Sequence, residues 1–329
     1  MTDLQMIESA KFVLKTEGQA ILNLESVIDD QFIRAVRMIL SSQGKVVFSG
    51  MGKSGLIAKK LASTFSSTGT PSYFLHPAEA AHGDLGLLDS KDVIIAMSQS
   101  GKSFELNTVI AFAIRHSIPV IAFTGNLQSD LAKQAQVVLQ TKISQEACPL
   151  GLAPTTSSTV ALALGDALGM VVSQAKGFTA DQFKQYHPGG GLGKKLLRVE
   201  DLMHQTGPSL PVLSPEVSVS EVLLQLSQGE VRGACGIVNQ QSELIGIVTD
   251  GDIRRRLGHL KNDIFLLQAK DIMSPTPRVI DQSETAQSAL AIMEKNQISV
   301  LFVLNKNAER PKYPVGIIHI QDLLKSKIR

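Results

Sequence analysis

Five ionisable residues, Lys53, His82, Glu105, Glu146 and His187, stand in or near segments rich in glycine and hydroxyls. The first segment is VVFSGMGKSG (Val46–Gly55), where a lysine sits inside a glycine-rich turn. Such a turn aims backbone N–H groups outward and suits an anion, with Gly50, Gly52, Lys53 and Ser54 as its candidate contacts. A second turn, SQSGKS, offers Ser98, Ser100 and Ser103. Hydroxyls at the start of a helix suit a phosphate, and they equally serve as helix caps. Imidazoles and carboxylates supply the other half of a chemistry, the movement of protons. Glu146 lies in QEACPLGLAPTTSS, between a sheet and an apolar helix. Burial there is expected to raise its pKa, as a proton-abstracting base requires. His187 precedes PGGG, a loop with the composition to close over a site.

The first loop is not a Walker A motif, because Val47 stands where that pattern needs a glycine. It does match GxGxxG through Gly50, Gly52 and Gly55. The ribose-binding acid expected about 20 residues later is missing, since that region reads TGTPSYFLH. Taken alone, the loop leaves a sugar or simple phosphate, a dinucleotide and a structural turn all open. There is no HExxH, no DxDxDG and no aspartate cluster for magnesium, so the sequence predicts no metal site.

The elements that must position these loops alternate. Apolar runs at Lys45–Gly50, Pro71–His76, Asp92–Ser98, Pro119–Gly125 and Val137–Thr141 read as buried strands. Helical spacing is expected over Ser54–Ser67, Ser103–Arg115 and Leu127–Ala135. One or two amphipathic helices precede Gly44, and a long Ala/Leu/Val helix runs from Pro154 to about Lys176. This is the pattern of an α/β fold, an open five-stranded parallel sheet flanked by helices. Such sheets bind ligands beyond the carboxyl ends of their strands, where Gly50–Ser54, Ser98–Ser103 and Thr124–Asn126 all fall.

The second half repeats itself. Asp201-Leu202-Met203 matches Asp271-Ile272-Met273, Gly246-Ile247-Val248 matches Gly316-Ile317-Ile318, and Asp252-Ile253 matches Asp322-Leu323. All three share one offset, so a duplication is expected, its two units pairing into one module. Each unit reads as a short start, a helix (Val219–Ser227, Thr285–Lys295), two strands and a closing helix. The expected domains are 1–198 and 199–329, the latter split at about 199–260 and 268–329.

Composition narrows the class. The chain has 329 residues, 43% hydrophobic and 19% charged, values of an ordinary globular protein. A net charge of +2 and the lack of tryptophan argue against a nucleic-acid partner. Two cysteines, Cys148 and Cys235, make no disulfide scaffold and are expected to be reduced. The start has no signal-peptide pattern, and Val160–Val172 is short for a bilayer and interrupted by Asp166. A cytoplasmic protein with no membrane partner is the expectation.

The blocks SGMGKSG, HPAEAAHGDLG (His76–Gly86), EACPLGLAPTTSS (Glu146–Ser158), GDALG and HPGG, in this order, resemble the arabinose-5-phosphate isomerases. These have a sugar isomerase (SIS) domain followed by two CBS repeats, and the resemblance runs from about Phe32 to Leu324. It implies interconversion of D-ribulose 5-phosphate and D-arabinose 5-phosphate through a cis-enediol, supplying Kdo synthesis for lipopolysaccharide or, in some paralogues, capsule. It implies no metal or nucleotide for the chemistry, and a homotetramer. It places catalytic roles on Lys53, His82, Glu105, Glu146 and His187. The turn departs from the family's usual Ser-Asn-Ser-Gly, having Gln99 in place of asparagine, and Lys102 follows it. A noncatalytic sugar-phosphate regulator and an isomerase for another phosphosugar are the alternatives. CBS pairs often bind adenine nucleotides through a threonine and an aspartate. Thr249 and Asp252 fill that pattern in the first unit, while in the second Asp322 remains and His319 replaces the threonine. A regulatory nucleotide and a plain assembly role both stand open for this pair.

Overall fold

The apolar runs form the strands expected of them: β1 (Val46–Gly50), β2 (Ser72–Leu75), β3 (Val93–Met97), β4 (Val120–Thr124) and β5 (Val137–Gln140). They make a parallel sheet in the order β2-β1-β3-β4-β5. Every residue of β1, β3 and β4 is buried, which is why these strands read as unbroken apolar runs. Because all five strands are parallel, their carboxyl ends share one edge. The structure, a computed structural model, describes residues 1–187, 196–205, 210–228, 231 and 233–328. Residues 188–195, with the glycines of HPGGGLG, lie outside the described residues.

Alternate strand residues feed two cores. Phe48, Ile95 and Phe123 face helices α2 (Asp30–Ser41), α3 (Gly52–Ser67) and α7 (Thr156–Ala175). Val47, Ile94 and Ala122 face α5 (Phe104–Arg115) on the other side. The N-terminal arm is α1 (Asp3–Leu22), closed at its start by a capping box between Thr2 and Gln5. Short helices α4 (Pro77–Ala80), α6 (Asp130–Gln134) and α8 (Ala180–Tyr186) complete the set. Helix α6 starts later than the expected Leu127, because the Ser129 hydroxyl caps it by accepting from Ala132 N–H at 3.3 Å.

Helix α7 is long and apolar, but it is a core helix: Val160, Leu164, Leu168 and Val172 are buried. Its glycines let it lie directly on α3. A Cβ on Gly169 would come within 2.6 Å of the Phe65 ring, and one on Gly165 would strike Leu61. Leu61 and Phe65 are four residues apart, as are Gly165 and Gly169, so the two helices run parallel. Two turns earlier in each, their first turns lie at the same end of the pair.

The chain divides into compact units Met1–Phe183 and Lys184–Arg329. Lys184 goes with the second because it pairs with Asp201 at 2.8 Å. Leu197 goes there too, since its carbonyl accepts from Ala286 N–H at 2.8 Å.

The second unit holds two four-stranded sheets. The first joins β7 (Val212–Leu213), β8 (Ala234–Val238), β9 (Leu244–Thr249) and β10 (Ser274–Pro275). The second joins β11 (Val279–Asp281), β12 (Val300–Leu304), β13 (Pro314–His319) and β6 (His204–Gln205). The repeats thus exchange their starts: β6, from the first, pairs with β13 of the second, and β10, from the second, pairs with β9 of the first. This explains the duplicated motifs. Met273 lies against Gly246, and Met203 against Gly316. The helices are α9 (Val219–Ser227), α10 (Asp250–Leu260), α11 (Ala269–Ile272), α12 (Ala286–Asn296) and α13 (Ile320–Lys325). Val231, Ala234, Val300, Phe302 and Ile317 form a core shared by both repeats.

Candidate active site

The loop after β1 is built by glycine. A Cβ on Gly50 would stand 2.9 Å from the Met97 carbonyl oxygen, and one on Gly55 would stand 2.5 Å from that of Gly50. Strand and helix therefore meet backbone to backbone. Gly52 has φ +55°, a conformation that strains any residue with a side chain. Helix α3 starts here with Met51 as its N-cap, which supplies no side-chain acceptor to the first turn. The amides at this end thus have no side-chain acceptor, the arrangement that in general suits an anion. Lys53 is exposed in this turn, beside the half-buried Ser54.

The loop after β3 separates its serines. Ser98 is buried, and its hydroxyl accepts from Gly101 N–H at 3.1 Å and lies 2.9 Å from the Ser103 hydroxyl. Ser100 is exposed, its oxygen 3.3 Å from Lys102 N–H. Ser103 is the N-cap of α5 but makes no side-chain bond to its first turn, where Glu105 is exposed. Gln99 turns its side chain away from these hydroxyls and binds Thr141, at the end of β5. Lys102 is exposed.

Glu146 overturns the expectation of a raised pKa. Desolvation does push its carboxyl up, but hydrogen bonds from Ser157 and Thr155 outweigh this and hold it below the usual value. Oε2 accepts from Thr155 N–H at 2.8 Å, the Thr155 hydroxyl at 3.2 Å and Ser157 N–H at 3.2 Å. Oε1 accepts from the Ser157 hydroxyl. Those donors belong to the first turn of α7 and its cap, so Glu146 stands at the α7 end level with Lys53 at the start of α3. Thr155, Ser157 and Thr141 were not singled out in the sequence. The run TTSS at a helix start was the available signal.

His82 is exposed in the turn after α4, its N–H donating to the Glu79 carbonyl at 2.9 Å. That segment is tied to β2 by the Tyr73 hydroxyl, which donates to the Leu87 carbonyl at 2.9 Å. Burial and the nearby Asp92 charge push the Tyr73 phenol up to about 12, so it stays a donor. Lys53, His82, Glu105 and Glu146 all follow strands of one sheet at its carboxyl edge. His187 follows α8 and falls in the Lys184–Arg329 unit, half-buried, its N–H donating to the Lys184 carbonyl at 3.2 Å. Among the described residues no group of three or more His, Cys, Asp or Glu could hold a metal ion.

In the second unit, Thr249 and Asp252 line a cavity of about 570 Å³, with Arg254, Arg255, Arg278 and His319. Asp252 accepts from the Thr249 hydroxyl at 2.7 Å and pairs with Arg255 at 2.5 Å. Asp322 does not line this cavity; it lies 3.2 Å from His204 Nε2 and accepts from His319 N–H at 3.0 Å.

A parallel sheet with glycine- and hydroxyl-rich loops at its carboxyl edge, followed by a duplicated and strand-exchanged module, defines an SIS domain with paired CBS domains. The SIS domain family matches residues 39–171, and the CBS domain family matches residues 199–259 and 269–329. Arabinose 5-phosphate isomerase KdsD of Pseudomonas aeruginosa is 41% identical over 327 residues, 99% of this chain and 98% of that protein. KdsD of Escherichia coli K12 is 40% identical over 322 residues, 98% of this chain and 96% of that protein. A solved E. coli CFT073 protein in complex with arabinose 5-phosphate is 42% identical, with a TM-score of 0.54 over 57% of this chain and 100% of that one. The chain belongs to the arabinose 5-phosphate isomerase family.

Proposed function

We propose that this protein interconverts D-ribulose 5-phosphate and D-arabinose 5-phosphate, supplying Kdo biosynthesis. The observation that carries the reading is identity of about 40% to enzymes named for that reaction across nearly the whole chain. The site supplies what an enediol route needs. The open first turn of α3 and Lys53 offer donors and a cation to the phosphate or to the charge that develops on oxygen. Ser100 and Ser103 offer hydroxyls to the phosphate. Glu146, held as an anion by four donors, is a weak base but a fixed acceptor for a sugar hydroxyl. The proton on carbon is then assigned to His82, since imidazole is the side chain best suited to take and return a proton near neutral pH. Glu105 orients Lys53 or a hydroxyl, and His187 serves ring opening or transfer between oxygens.

The same proposal includes independence from metals, a cytoplasmic location and a homotetramer. Large apolar side chains support assembly: Leu56, Leu87, Phe104, Leu150 and Leu152 are exposed on the segments that follow the strands, and Leu4, Ile7, Phe12 and Leu14 on α1. The arginines of the second-unit cavity suit an anionic regulator such as an adenine nucleotide. The test is incubation of EDTA-treated protein with ribulose 5-phosphate and identification of the product by NMR. Arabinose 5-phosphate is expected. Binding without turnover would make the protein a sensor, and a different product would change the substrate.

A further inference from the structure

His187 follows a helix too short to hold itself in place. Helix α8 has seven residues and none of them is buried, far from the length at which a helix is stable alone. Its first turn is capped: Thr179 N–H donates to Gln182 Oε1 at 2.9 Å, and the Thr179 hydroxyl accepts from Gln182 N–H at 3.3 Å. Its last turn carries Lys184, where two contacts meet. The Lys184 carbonyl accepts from His187 N–H at 3.2 Å. The Lys184 ammonium donates to both carboxylate oxygens of Asp201, at 2.9 and 2.8 Å. The two side chains are 20% and 28% exposed, so salt screens this pair less than one on an open surface.

Asp201 is itself held. It ends the turn Val199–Asp201 and accepts from Arg198 N–H at 2.8 Å. Val199 is buried, and its N–H donates to the Glu284 carbonyl at 2.9 Å. The duplication supplies a comparison. Asp271, the counterpart of Asp201, keeps the same cap by accepting from Gln268 N–H at 2.9 Å. Among the described residues, however, Asp271 forms no ion pair. Capping therefore explains an aspartate at this point of each repeat, and it leaves the lysine contact of the first repeat unexplained. That contact joins residues 17 apart in the chain and fixes the turn from which His187 emerges.

We infer that Lys184 and Asp201 are positioning residues for His187, their ion pair fixing the last turn of α8 and with it the main chain at the imidazole. This rests on the role proposed for His187 in the isomerisation. The full-length protein is compared with K184M, K184R, D201N and H187N, by steady-state kinetics on ribulose 5-phosphate and by thermal melting. Methionine keeps an unbranched stem and removes the charge. Asparagine at 201 keeps an acceptor for Arg198 N–H.

K184M and D201N are expected to lower kcat by about 3- to 10-fold, between the scales of an exposed ion pair and of a hydrogen bond to a charged group. KM should change by less than about 2-fold, because neither residue is proposed to touch substrate. K184R keeps a charged donor that suits a carboxylate and should keep kcat. D271N, the same change at the duplicated position, should leave the kinetics as they are. The deciding readout is coupling to His187. K184M/H187N should lose no more than H187N alone, since no imidazole is left to misplace, whereas a merely structural role lowers both backgrounds alike. Additive losses would overturn the inference. So would wild-type kcat in K184M or in H187N, or a K184R loss equal to that of K184M. If D201N fails to fold, K184M and the double variant decide. An inactive wild-type enzyme would instead overturn the proposed reaction, and this role with it.

Discussion

Gln99 and Thr141 hold each other by two hydrogen bonds. Gln99 Nε2 donates to the Thr141 carbonyl at 3.1 Å, and the Thr141 hydroxyl donates to Gln99 Oε1 at 2.9 Å. The Gln99 carbonyl also accepts from Gly125 N–H at 3.0 Å. One residue thus fastens the β3 loop to the ends of β4 and β5, and it explains how glutamine is accommodated in the turn. Asparagine is a methylene shorter and cannot make both bonds. Q99N is expected to raise KM by about 2- to 10-fold, the scale of one or two neutral hydrogen bonds. T141V should match it, and the double variant should add little. Steady-state kinetics on all three checks this, and additive losses would refute the pairing.

The two serines of that loop should fail differently. Ser98 is buried and bonded within the loop, so S98A should lower stability by about 1–3 kcal/mol, the cost of leaving a buried partner unmet. Ser100 is exposed, so S100A should leave the melting temperature in place. Its loss should appear in kcat/KM, about 10- to 150-fold if the hydroxyl meets a charged phosphate, mostly through KM. Thermal melts beside kinetics distinguish the two, and an S100A enzyme with unchanged kcat/KM removes that hydroxyl from the site.

Glu146 should behave as a fixed anion. Its carboxyl lies below the ordinary value of 4.5 in the fold, so it contributes stability that is present above about pH 4.5. That contribution is lost as pH falls through the lowered folded value. E146Q should therefore be less stable than wild type near pH 7, with the gap closing in acid. S157A removes the hydroxyl donor and keeps the backbone N–H, so it should move the Glu146 titration upward in part. In heavy water H82N should stop both turnover and deuterium entry at C2, while E146Q slows turnover and leaves some exchange. The reverse pattern would make Glu146 the carbon base.

The exchanged starts of the CBS repeats give an asymmetric prediction. A Cβ on Gly316 would lie 2.8 Å from the His204 carbonyl oxygen, which cannot yield, as well as near Met203. On Gly246 the obstacle is the flexible Met273 side chain. G316A should cost more stability than G246A, on the overpacking scale of about 1–3 kcal/mol. M273A should relieve G246A in part, and M203A should not relieve G316A. Equal costs, or equal rescue, would contradict the packing described.

The sheet was legible in the sequence because strands buried on both faces are plain apolar runs, and VVFSG and DVIIAMS end where the chain must turn. Helix starts were less so. Leu127 looks helical, but the Ser129 cap sets the start at Asp130. Short α4 and α8 have too few turns for a period to show. The loops that carry Lys53, Ser100 and Glu105 could be placed at one edge from strand order alone. The state of Glu146 could not, because burial and hydrogen bonding push its titration in opposite directions and only coordinates say which prevails. The repeat was plain at its constant offset, yet nothing in a linear pattern tells that each start pairs with the other copy.

The parallel packing of α3 on α7 brings two helix dipoles to the cleft with their positive poles side by side. Glu146 neutralises the α7 pole from within the protein, leaving the α3 pole open. Of these two poles, only that of α3 stays open to the phosphate or the enediolate of the proposed substrate. In the proposed complex the backbone thus biases the polarity of docking, through which helix of the pair carries its own counter-charge, before side-chain recognition begins.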